Sequence, residues 1–509
     1  MVQLGFVIDH SRCIGCHACT VACKSENDVP LGDFRTWVKY TEAGEFPDVR
    51  RSFTVLRCNQ CTDAPCMTIC PTSALHKRPD GIVDVEQDAC IGCKSCMQGC
   101  PYDALYLDKR SGTANKCHFC AHRTERGLAP ACTVVCPTEA LIPGDFDDPN
   151  SVVSKMKATG ELSARKTELD TKPNVWYREV SSHGIEPLTT NAAGGYLWAN
   201  QQQGDPLEAE RFLAKAEEKA EARTVYNVDH KPMWGPKVSA YLFTKSLSAG
   251  AFLAAALTAA QRGFRFEGAA SWLVPVLAIF FLLLTTGLLV GDLKRPDRFL
   301  LILKRPNWKS WVAKGSIILT AYGGLLAAWL GIGLFEIEIG KTASMALVAA
   351  TAITAALTAC YTAWLFGQAK GRVLWLKRGF ALHLIVQAVL AGAAGLLLFA
   401  QFLDLDTVTL TRALQASLVV HLVMMLIEDK LAPKGREEEY HRVTSLITKG
   451  PFALRHKLYG IGIGVVLPLV LLTFGASMPV VVIASLCALG GLYSEEDILV
   501  RAGQALQIS

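Results

Sequence analysis

The sequence has 509 residues, of which 51% are hydrophobic and 19% are charged, and its formal net charge is +5 at pH 7. A mean hydropathy of +0.26 is too high for a single soluble domain of this length, so part of the chain is expected in a membrane. No nucleic-acid partner is expected. The composition changes near residue 236, where a charged, cysteine-rich part gives way to long apolar runs.

Sixteen of the eighteen cysteines lie in the first 136 residues, in four groups of four. The groups are Cys13-Cys16-Cys19-Cys23, Cys58-Cys61-Cys66-Cys70, Cys90-Cys93-Cys96-Cys100 and Cys117-Cys120-Cys132-Cys136. The first and third groups have the C-x2-C-x2-C-x3-C spacing of a bacterial ferredoxin. Because four thiolates hold one cubane, the sixteen cysteines predict four [4Fe–4S] clusters and a path for electrons.

Two other uses of these cysteines are disfavoured. A disulfide framework needs an oxidising compartment, and the opening segment MVQLGFVIDHSR has no features of an export signal. Zinc prefers two separated pairs of ligands, which only the fourth group resembles. Three groups instead end in Cys-Pro, at Cys70, Cys100 and Cys136, and a proline recurs after the last ligand of ferredoxin runs.

Short strand patterns precede two of the groups. Residues 5–9 (GFVID) come before Cys13, and residues 81–85 (GIVDV) come before Cys90. This repeat predicts two ferredoxin-like modules with two clusters each. The spacing by itself leaves open which groups exchange ligands.

Residues 1–190, with all four groups in order, resemble the iron–sulfur subunit of the dimethyl sulfoxide reductase and polysulfide reductase group. The resemblance implies a nested exchange, in which the first group shares clusters with the fourth and the second with the third. Cys23 is followed by Lys24 where three other groups have proline, and ligation is unaffected because proline is not a ligand. The implied sets are Cys13, Cys16, Cys19, Cys136; Cys117, Cys120, Cys132, Cys23; Cys58, Cys61, Cys66, Cys100; and Cys90, Cys93, Cys96, Cys70.

The remaining chain divides into a linker and a membrane part. Residues 191–235 are predicted to be a charged linker with an exposed helix at 205–222, capped by Asp205. Residues 236–509 hold eight apolar runs of membrane-spanning length. These runs are 238–260, 270–291, 312–334, 343–366, 379–402, 408–428, 457–475 and 478–493. The fold class is therefore an α+β ferredoxin-like double module followed by an all-α bundle of eight transmembrane helices.

The distribution of basic residues predicts the orientation. With eight spans, both termini and the loops after helices two, four and six share one side. These three loops and their flanks carry 18 Lys and Arg residues, against four in the opposite loops. The positive-inside rule therefore places the cysteine-rich domain in the cytoplasm, on a bacterial inner membrane.

Residues 234–509 resemble the NrfD/polysulfide reductase membrane anchor, which has eight helices and no haem. The motifs that carry the resemblance are residues 291–299 (GDLKRPDRF), 361–363 (YTA) and 501–504 (RAGQ). The resemblance implies a quinone site near the cluster domain, with Asp292 and Tyr361 as its acid and tyrosine. Helix one offers Tyr241 and Lys245 where relatives often have Asn and His.

Polar residues within the spans are costly and are usually functional. Asp292, Tyr361, His383 and His421 fall in the half of the membrane nearest the cluster domain, and Lys245 lies early in helix one. A ubiquinone or menaquinone needs hydrogen-bond partners at both carbonyls and a group that exchanges protons. These five residues are the predicted quinone site, with Gln387 and Glu428 nearby.

Each candidate also has a structural explanation. Asp292 could pair only with Arg295, Tyr361 could be an interfacial tyrosine, the two histidines could be core or headgroup residues, and Lys245 could snorkel or pair with an acid. No haem b is expected, because no pair of facing histidines at matched depth is evident in the sequence.

The resulting hypothesis is a non-catalytic electron-transfer and membrane-anchor subunit of a quinone-linked oxidoreductase. By family resemblance, its partner is a separate molybdenum or tungsten bis-pterin catalytic subunit, since no pterin or substrate site is recognisable in this chain. Sulfite oxidation is one cytoplasm-facing possibility among relatives, and dimethyl sulfoxide, polysulfide, tetrathionate or formate chemistry stays open. The alternatives are a subunit of a nickel–iron hydrogenase and a proton-translocating module.

Overall fold

The structure is a computed structural model that describes residues 2–191, 212, 221–228, 232–261, 263–403, 405–475, 477–506 and 508–509. Nearly all of the helix predicted at 205–222 lies outside the described residues. Its last residue, Ala222, begins a strand, so the prediction is wrong at that position. This strand joins a sheet through backbone pairing with residues 40–43.

Twelve short strands are found in the described residues of the cysteine-rich half. They are β1 (Leu4–Asp9), β2 (Thr36–Ala43), β3 (Arg50–Arg57), β4 (Leu75–Lys77), β5 (Val83–Val85), β6 (Leu105–Asp108), β7 (Thr113–Lys116), β8 (Leu141–Asp145), β9 (Leu162–Ser163), β10 (Val175–Arg178), β11 (Thr190–Asn191) and β12 (Ala222–Tyr226). The strand expected at residues 5–9 is β1, and only the last three residues of the 81–85 pattern form β5.

Two four-stranded sheets and two hairpins arrange these strands. One sheet has the order β8-β1-β10-β9, with β1 antiparallel to β8 and parallel to β10. The other has the order β11-β12-β2-β3, and β2 and β3 pair from Thr36↔Arg57 to Ala43↔Arg50. The hairpins β4-β5 and β6-β7 lie in the part of the domain that carries the second and third cysteine groups.

Among the described residues, eight long apolar helices follow, as predicted. They are α1 (Pro236–Gln261), α2 (Ala270–Asp292), α3 (Trp311–Leu334), α4 (Lys341–Gly367), α5 (Phe380–Leu398), α6 (Thr407–Leu426), α7 (Arg455–Phe474) and α8 (Met478–Ala502). Each is long and apolar enough to cross a membrane. Most bounds agree with the prediction to within two residues, and α5 is shorter because a 3₁₀ turn replaces its end at Ala400–Phe402.

Helix α8 differs most, since it continues nine residues beyond the predicted end at 493. The added part carries the acidic run Glu495, Glu496 and Asp497. Each acid has a hydrogen-bond partner inside the protein: Glu495 bonds His456, Glu496 bonds Ser246, and Asp497 bonds Ser239. The helix therefore continues through these charged residues. Amphipathic helix Glu437–Thr448 lies in the connection between α6 and α7.

Helix α1 lies at the centre of the bundle, and small residues allow its closest contact. A Cβ added at Gly250 would lie 1.8 Å from the carbonyl oxygen of Ala388 on α5, and one at Gly392 would lie 1.9 Å from Gly250. The two backbones therefore touch, as is typical of helix packing in membranes. Aliphatic side chains such as Leu283 and Ile353 point outward and remain exposed.

The cysteine-rich half packs directly on the ends of the helices. Asn307, between α2 and α3, donates to the carbonyl oxygens of Met67 (3.0 Å) and Cys70 (2.8 Å). Gln98 donates to Gln504 beyond the end of α8 at 2.6 Å. Because one hydrophobic cluster includes residues from both halves, the two parts share a core.

Candidate functional site

The first and third cysteine groups form the same kind of loop. Gly15 and Gly92 have φ values of 71° and 67°, and His17 and Lys94 at 59° and 63° open the short helices that follow. Left-handed backbone is easily adopted by glycine. A Cβ at Gly15 would also lie 2.5 Å from the ring of Phe53, so the chain reverses there only without a side chain.

The structure brings the sixteen thiols into four neighbourhoods. One cavity is lined by the first three cysteines of the first group together with Cys136 from the fourth. Cys23 interacts with Cys117 and Cys132, and Cys132 also interacts with Cys120. The neighbours of Cys100 are Cys58, Cys61 and Cys66, and those of Cys70 are Cys90, Cys93 and Cys96. These neighbourhoods are the nested sets that the resemblance implies.

The thiol sets have the surroundings that an iron–sulfur cluster requires. Burial raises the pKa of the Cys66 thiol well above its ordinary value and that of Cys19 to about 12, so a thiolate there needs a cationic partner. Backbone amides also donate to sulfur, from Ala114 to Cys90 at 3.4 Å and from Ala140 to Cys136 at 3.3 Å. Such N–H···S bonds tune cluster potentials.

Arg57 adds a buried positive charge to the set that contains Cys117. Its guanidinium lies 3.3 Å from the sulfur of Cys117 and 3.6 Å from that of Cys132. Burial alone would raise the pKa of Cys117, but Arg57 and Lys116 outweigh it and hold that pKa below its ordinary value. The thiolate form is therefore favoured at this position. All eighteen cysteines lie in the described part of the chain, and no disulfide joins any two of them.

A second cavity, of about 290 Å³, lies where the third cysteine group meets the helix bundle. Its walls are mostly aliphatic, and its polar lining includes Cys93, Tyr241, Asp292 and Tyr361. Such a mostly apolar cleft with a few polar groups is typical of a small-molecule site. We call it the Cys93 cavity, because a thiol of the fourth neighbourhood lines it.

Asp292 joins the bundle to the cysteine loop. Its carboxylate forms an ion pair at 2.6 Å with Lys94, the residue that follows Cys93, and Lys94 is only 6% exposed. The structure therefore excludes the simpler explanation that Asp292 pairs with Arg295. Arg295 instead bonds Asp297 at 2.8 Å and 3.0 Å.

The 291–299 motif docks on the same loop. The amides of Lys294 and Arg295 donate to the carbonyl oxygens of Gly92 (3.3 Å) and Ile91 (3.2 Å). Arg298 donates to the carbonyl oxygen of Gln87 at 2.6 Å. The motif thus fixes the position of the cysteine loop over the cavity.

Tyr361 is buried and stands against a glycine of α3. A Cβ added at Gly315 would lie 2.4 Å from its ring, so this glycine makes the space that the ring occupies. Tyr361 lines the cavity from α4.

Lys245 lies behind Tyr361 and does not line the cavity. Its ammonium donates to the carbonyl oxygen of Ala359 (2.7 Å) and to the hydroxyl of Thr362 (2.8 Å), and it lies 5.4 Å from the centre of the Tyr361 ring. Because the side chain is fully buried, Lys245 does not snorkel to the membrane surface.

The two histidines belong to another part of the bundle. His383 and His421 face each other and share a hydrogen bond of 3.1 Å. This contact corrects the expectation that no two histidines face each other. The distance is shorter than the ~4 Å that separates two nitrogens on opposite sides of one metal, as in the axial ligands of a haem, from metal–nitrogen bonds of about 2.0 Å. His383 lines a different cavity with Lys377, Glu428 and Glu495.

The sequence reasoning missed two charged residues, Lys94 and Glu496. Lys94 lies inside the third cysteine group. The signal that could have identified it was a basic residue between two cysteines of that group. Glu496 lay beyond the predicted end of the last helix, so it was not considered as a membrane residue. The signal that could have identified Glu496 was the polar run 494–497, which lies next to an apolar run.

Two family models match the chain. The model described as 4Fe-4S dicluster domain matches residues 49–146. The model described as polysulphide reductase, NrfD matches residues 224–507, which is more than half of the sequence. The protein belongs to the polysulphide reductase NrfD family. The eight helices are thus those of an NrfD-type multi-pass membrane protein.

Relatives of the other half of this NrfD-family protein are components of reductases. One component of the polysulfide reductase of Wolinella succinogenes is 42% identical over 187 residues, covering 36% of this chain and 98% of the relative. One component of the tetrathionate reductase of Salmonella typhimurium is 40% identical over 200 residues, covering 38% and 80%. A putative dimethyl sulfoxide reductase iron–sulfur subunit of Halobacterium salinarum is 37% identical over 207 residues, covering 35% and 79%.

These findings confirm that the chain joins a reductase-type iron–sulfur subunit to an NrfD membrane anchor. It is an electron-transfer iron–sulfur protein, and the buried thiols described above fit [4Fe–4S] clusters as their ligands. Bound clusters supply one-electron transfer. The protein would hold them among mostly buried thiols, with Cys16 exposed in one set and another set beside the Cys93 cavity.

Proposed function

We propose that this protein carries electrons between a membrane quinone and a separate molybdopterin-type catalytic subunit, through four [4Fe–4S] clusters. The observation that carries the proposal is that Asp292, Tyr361 and Cys93 line one cavity. A quinone bound there would touch a proton-exchanging acid, a phenol that can donate a hydrogen bond, and the ligand of a cluster. Those are the groups that coupled electron and proton transfer to a quinone requires.

The four thiol sets supply a route away from the cavity. The set with Cys93 lies beside the set with Cys100, since Cys66 and Cys96 interact. The remaining two sets also adjoin, since Cys19 interacts with Cys132. The last set contains Cys16, which is exposed. Electrons would therefore enter or leave the protein at Cys16, far along the domain from the quinone.

The surface around Cys16 suits a protein partner. Five apolar side chains near it are 41–64% exposed, and an apolar patch of this kind marks an interaction site. These residues are Ile14, Val21, Leu128, Val134 and Val135. We assign the catalytic subunit to this face, because the relatives are named as parts of polysulfide, tetrathionate and dimethyl sulfoxide reductases.

Further assignments belong to the same proposal. The excess of basic residues supports a cytoplasmic position of the cluster domain, on a bacterial inner membrane. The quinone is ubiquinone or menaquinone, and no haem takes part. The predicted residues His383, His421 and Lys245 lie outside the Cys93 cavity, so Asp292 and Tyr361 are the proposed direct quinone contacts. Sulfite oxidation is one reaction that the complex could perform.

Asp292→Asn tests the quinone site. With no acid to exchange protons, reoxidation of reduced clusters by quinone should fall by roughly 100-fold, the lower range for loss of a general acid–base group. Iron content and cluster electron paramagnetic resonance should be unchanged. Asp297→Asn is the matched control, because it is the same change in the same motif at an exposed residue outside the cavity. Wild-type quinone reactivity of Asp292→Asn would overturn the proposal.

The partner is tested on the native complex. Purification through this chain, followed by mass spectrometry and metal analysis of the large subunit, should find molybdenum or tungsten. Nickel would instead assign the protein to a hydrogenase. A large subunit with an export signal would overturn the cytoplasmic orientation.

A further inference from the structure

One of the four thiol sets has a buried cation in direct contact with its sulfurs. We call it the Cys117 set, and its members are Cys23, Cys117, Cys120 and Cys132. Arg57 is fully buried, and its guanidinium donates to the sulfur of Cys117 at 3.3 Å and to that of Cys132 at 3.6 Å. The ring of Phe6 covers the guanidinium, with its centre 3.6 Å away. The charge of Arg57 is therefore directed at two sulfurs and kept away from water.

The other two sulfurs of the Cys117 set receive hydrogen bonds from Asn27. Its side-chain nitrogen lies 3.7 Å from the sulfur of Cys23 and 3.7 Å from that of Cys120, and it also donates to the carbonyl oxygen of Cys23 at 3.0 Å. The side-chain oxygen of Asn27 accepts from the guanidinium of Arg35 at 3.1 Å, and Arg35 is only 5% exposed. A second buried arginine thus holds the amide, and a side-chain N–H approaches every sulfur of the set.

This pattern distinguishes the Cys117 set from the other three. In the described part of the chain, the hydrogen bonds to their sulfurs come from backbone amides or threonine hydroxyls, with no charged side chain as donor. Lys116 is also buried, but its charge acts on Cys66 as well as on Cys117, so it does not distinguish the two sets.

Neither arginine has a carboxylate partner among the described residues. The remaining hydrogen bonds of Arg35 join it to the uncharged side chains of Tyr106, Asn115 and His118. A charge that is buried without a counter-charge is costly. A bound cluster would supply the counter-charge, because four thiolates leave a [4Fe–4S] cubane with a net negative charge. Reduction adds a further negative charge, so nearby cations and N–H donors favour the reduced cluster.

We propose that Arg57, supported by Arg35 through Asn27, raises the reduction potential of the cluster held by the Cys117 set. The inference rests on the proposed placement of a cluster on these four cysteines, and it needs neither the quinone site nor a particular catalytic partner. The cluster takes up one electron, no bond forms or breaks, and the fixed cation stabilises the added charge. The Cys117 set adjoins the set with the exposed Cys16. Arg57 therefore favours the arrival of electrons beside the proposed partner-facing end.

Arg57→Met is the main test, because methionine keeps an unbranched side chain and removes both the charge and the two donors. The full-length protein with its clusters is titrated with dithionite in the presence of redox mediators. Electron paramagnetic resonance and visible absorbance give the midpoint potential of each cluster. Cys120→Ser identifies the transition that belongs to the Cys117 set, because it changes a ligand of that set alone.

At a fixed potential, Arg57→Met should lower the ratio of reduced to oxidised cluster in the Cys117 set at least 10-fold, which is a downward shift of about 59 mV for one electron. Arg57→Lys keeps the charge, so its midpoint should lie between those of Arg57→Met and the wild type. Asn27→Leu should give a smaller downward shift, since Arg57 stays in place.

Arg165→Met is the matched control. Arg165 is also a fully buried arginine of the cysteine-rich half, but its guanidinium donates to the carbonyl oxygen of Ile508 and not to sulfur. This change should leave the midpoint of the Cys117 set unchanged.

An unchanged midpoint in Arg57→Met, with full iron content, would overturn the inference. An equal shift of all the midpoints would show a general change of structure instead of a local charge effect. If Arg57→Met does not assemble its clusters, wild-type midpoints in both Arg57→Lys and Asn27→Leu would overturn the inference in its place.

Two further results separate this inference from the proposed function. Unchanged midpoints and iron content in Cys120→Ser would show that the Cys117 set holds no cluster, so the cluster assignment and the inference would fail together. None of these measurements involves quinone. Wild-type quinone reactivity of Asp292→Asn would therefore remove the quinone site and leave the role of Arg57 standing.

Discussion

The first and third cysteine groups begin with nearly the same loop, CIGCHAC and CIGCKSC, but the protein places them in opposite surroundings. Ile14 in the first loop is 57% exposed, whereas Ile91 in the third is 1% exposed. The cover over Ile91 is the 291–299 motif of the membrane half. One loop is therefore open to a partner protein, and the other is sealed against the bundle.

The residue directly after the second cysteine of each loop reflects this difference. His17 in the first loop bonds the hydroxyl of Tyr40 at 2.9 Å, within its own domain. Lys94 in the third loop reaches across to Asp292 in the membrane half. Both loops supply thiols in the same spacing. The residue after the second cysteine differs, and it contacts the same domain in the first loop and the membrane half in the third.

Removing one ligand from each loop should have the largest effect. Cys93→Ser should lose the cluster beside the cavity and abolish reoxidation by quinone, because the other clusters then have no route to it. Cys16→Ser is the matched variant, and it should abolish electron exchange with the catalytic subunit while quinone still reoxidises the remaining clusters. Iron analysis and stopped-flow absorbance separate the two. Wild-type quinone reactivity in Cys93→Ser would contradict the assignment of the quinone reaction to the end of the protein that contains Cys93.

The same substitution at the two isoleucines should have different consequences. Ile91→Asp buries an unpaired carboxylate and should destabilise the protein by about 3 kcal/mol, which thermal unfolding would measure. Ile14→Asp changes an exposed residue, so stability should be unchanged. Its affinity for the catalytic subunit should fall about 10-fold, the effect of losing one apolar interface contact. Equal destabilisation by both changes would show that the first loop is also covered.

Gly315→Ala examines the cavity at the sealed end. The added methyl would lie 2.4 Å from the Tyr361 ring, so the ring must move, at a cost of about 1–3 kcal/mol for an overpacked site. We expect a higher KM for quinone with unchanged cluster content. Gly324→Ala on the same helix is the control, because nothing lies within 4 Å of its added methyl. An unchanged KM would show that the position of the Tyr361 ring does not affect quinone binding.

The sequence was sufficient for the fold class and for most of the helix bounds, because cysteine spacing and apolar runs are local signals. It was not sufficient for the contacts between the halves. Lys94 and Asp292 are 198 positions apart, and neither local pattern indicates the other. The predicted end of α8 was wrong because Glu495, Glu496 and Asp497 have hydrogen-bond partners on other helices. A hydropathy pattern carries no information about such partners.

The quinone candidates illustrate the same limit. Position along the helices predicted that Asp292, Tyr361, His383 and His421 share one layer of the membrane, and Lys245 was added from helix one. Depth does not specify the angle at which a side chain leaves its helix. Two of the five therefore line the Cys93 cavity, one stands behind Tyr361, and the histidines pair with each other elsewhere.

The smallest effect is expected at the rim of the sealed end. Arg305, between α2 and α3, forms a paired contact of 3.0 Å and 3.1 Å with Glu86, just before the third cysteine group. Both side chains are 43–49% exposed, so water and salt screen their attraction. Arg305→Gln should leave thermal stability and quinone kinetics within experimental error at physiological ionic strength. A clear loss of quinone reactivity would mean that rim charges, and not the buried Lys94–Asp292 pair, hold the third loop on the bundle.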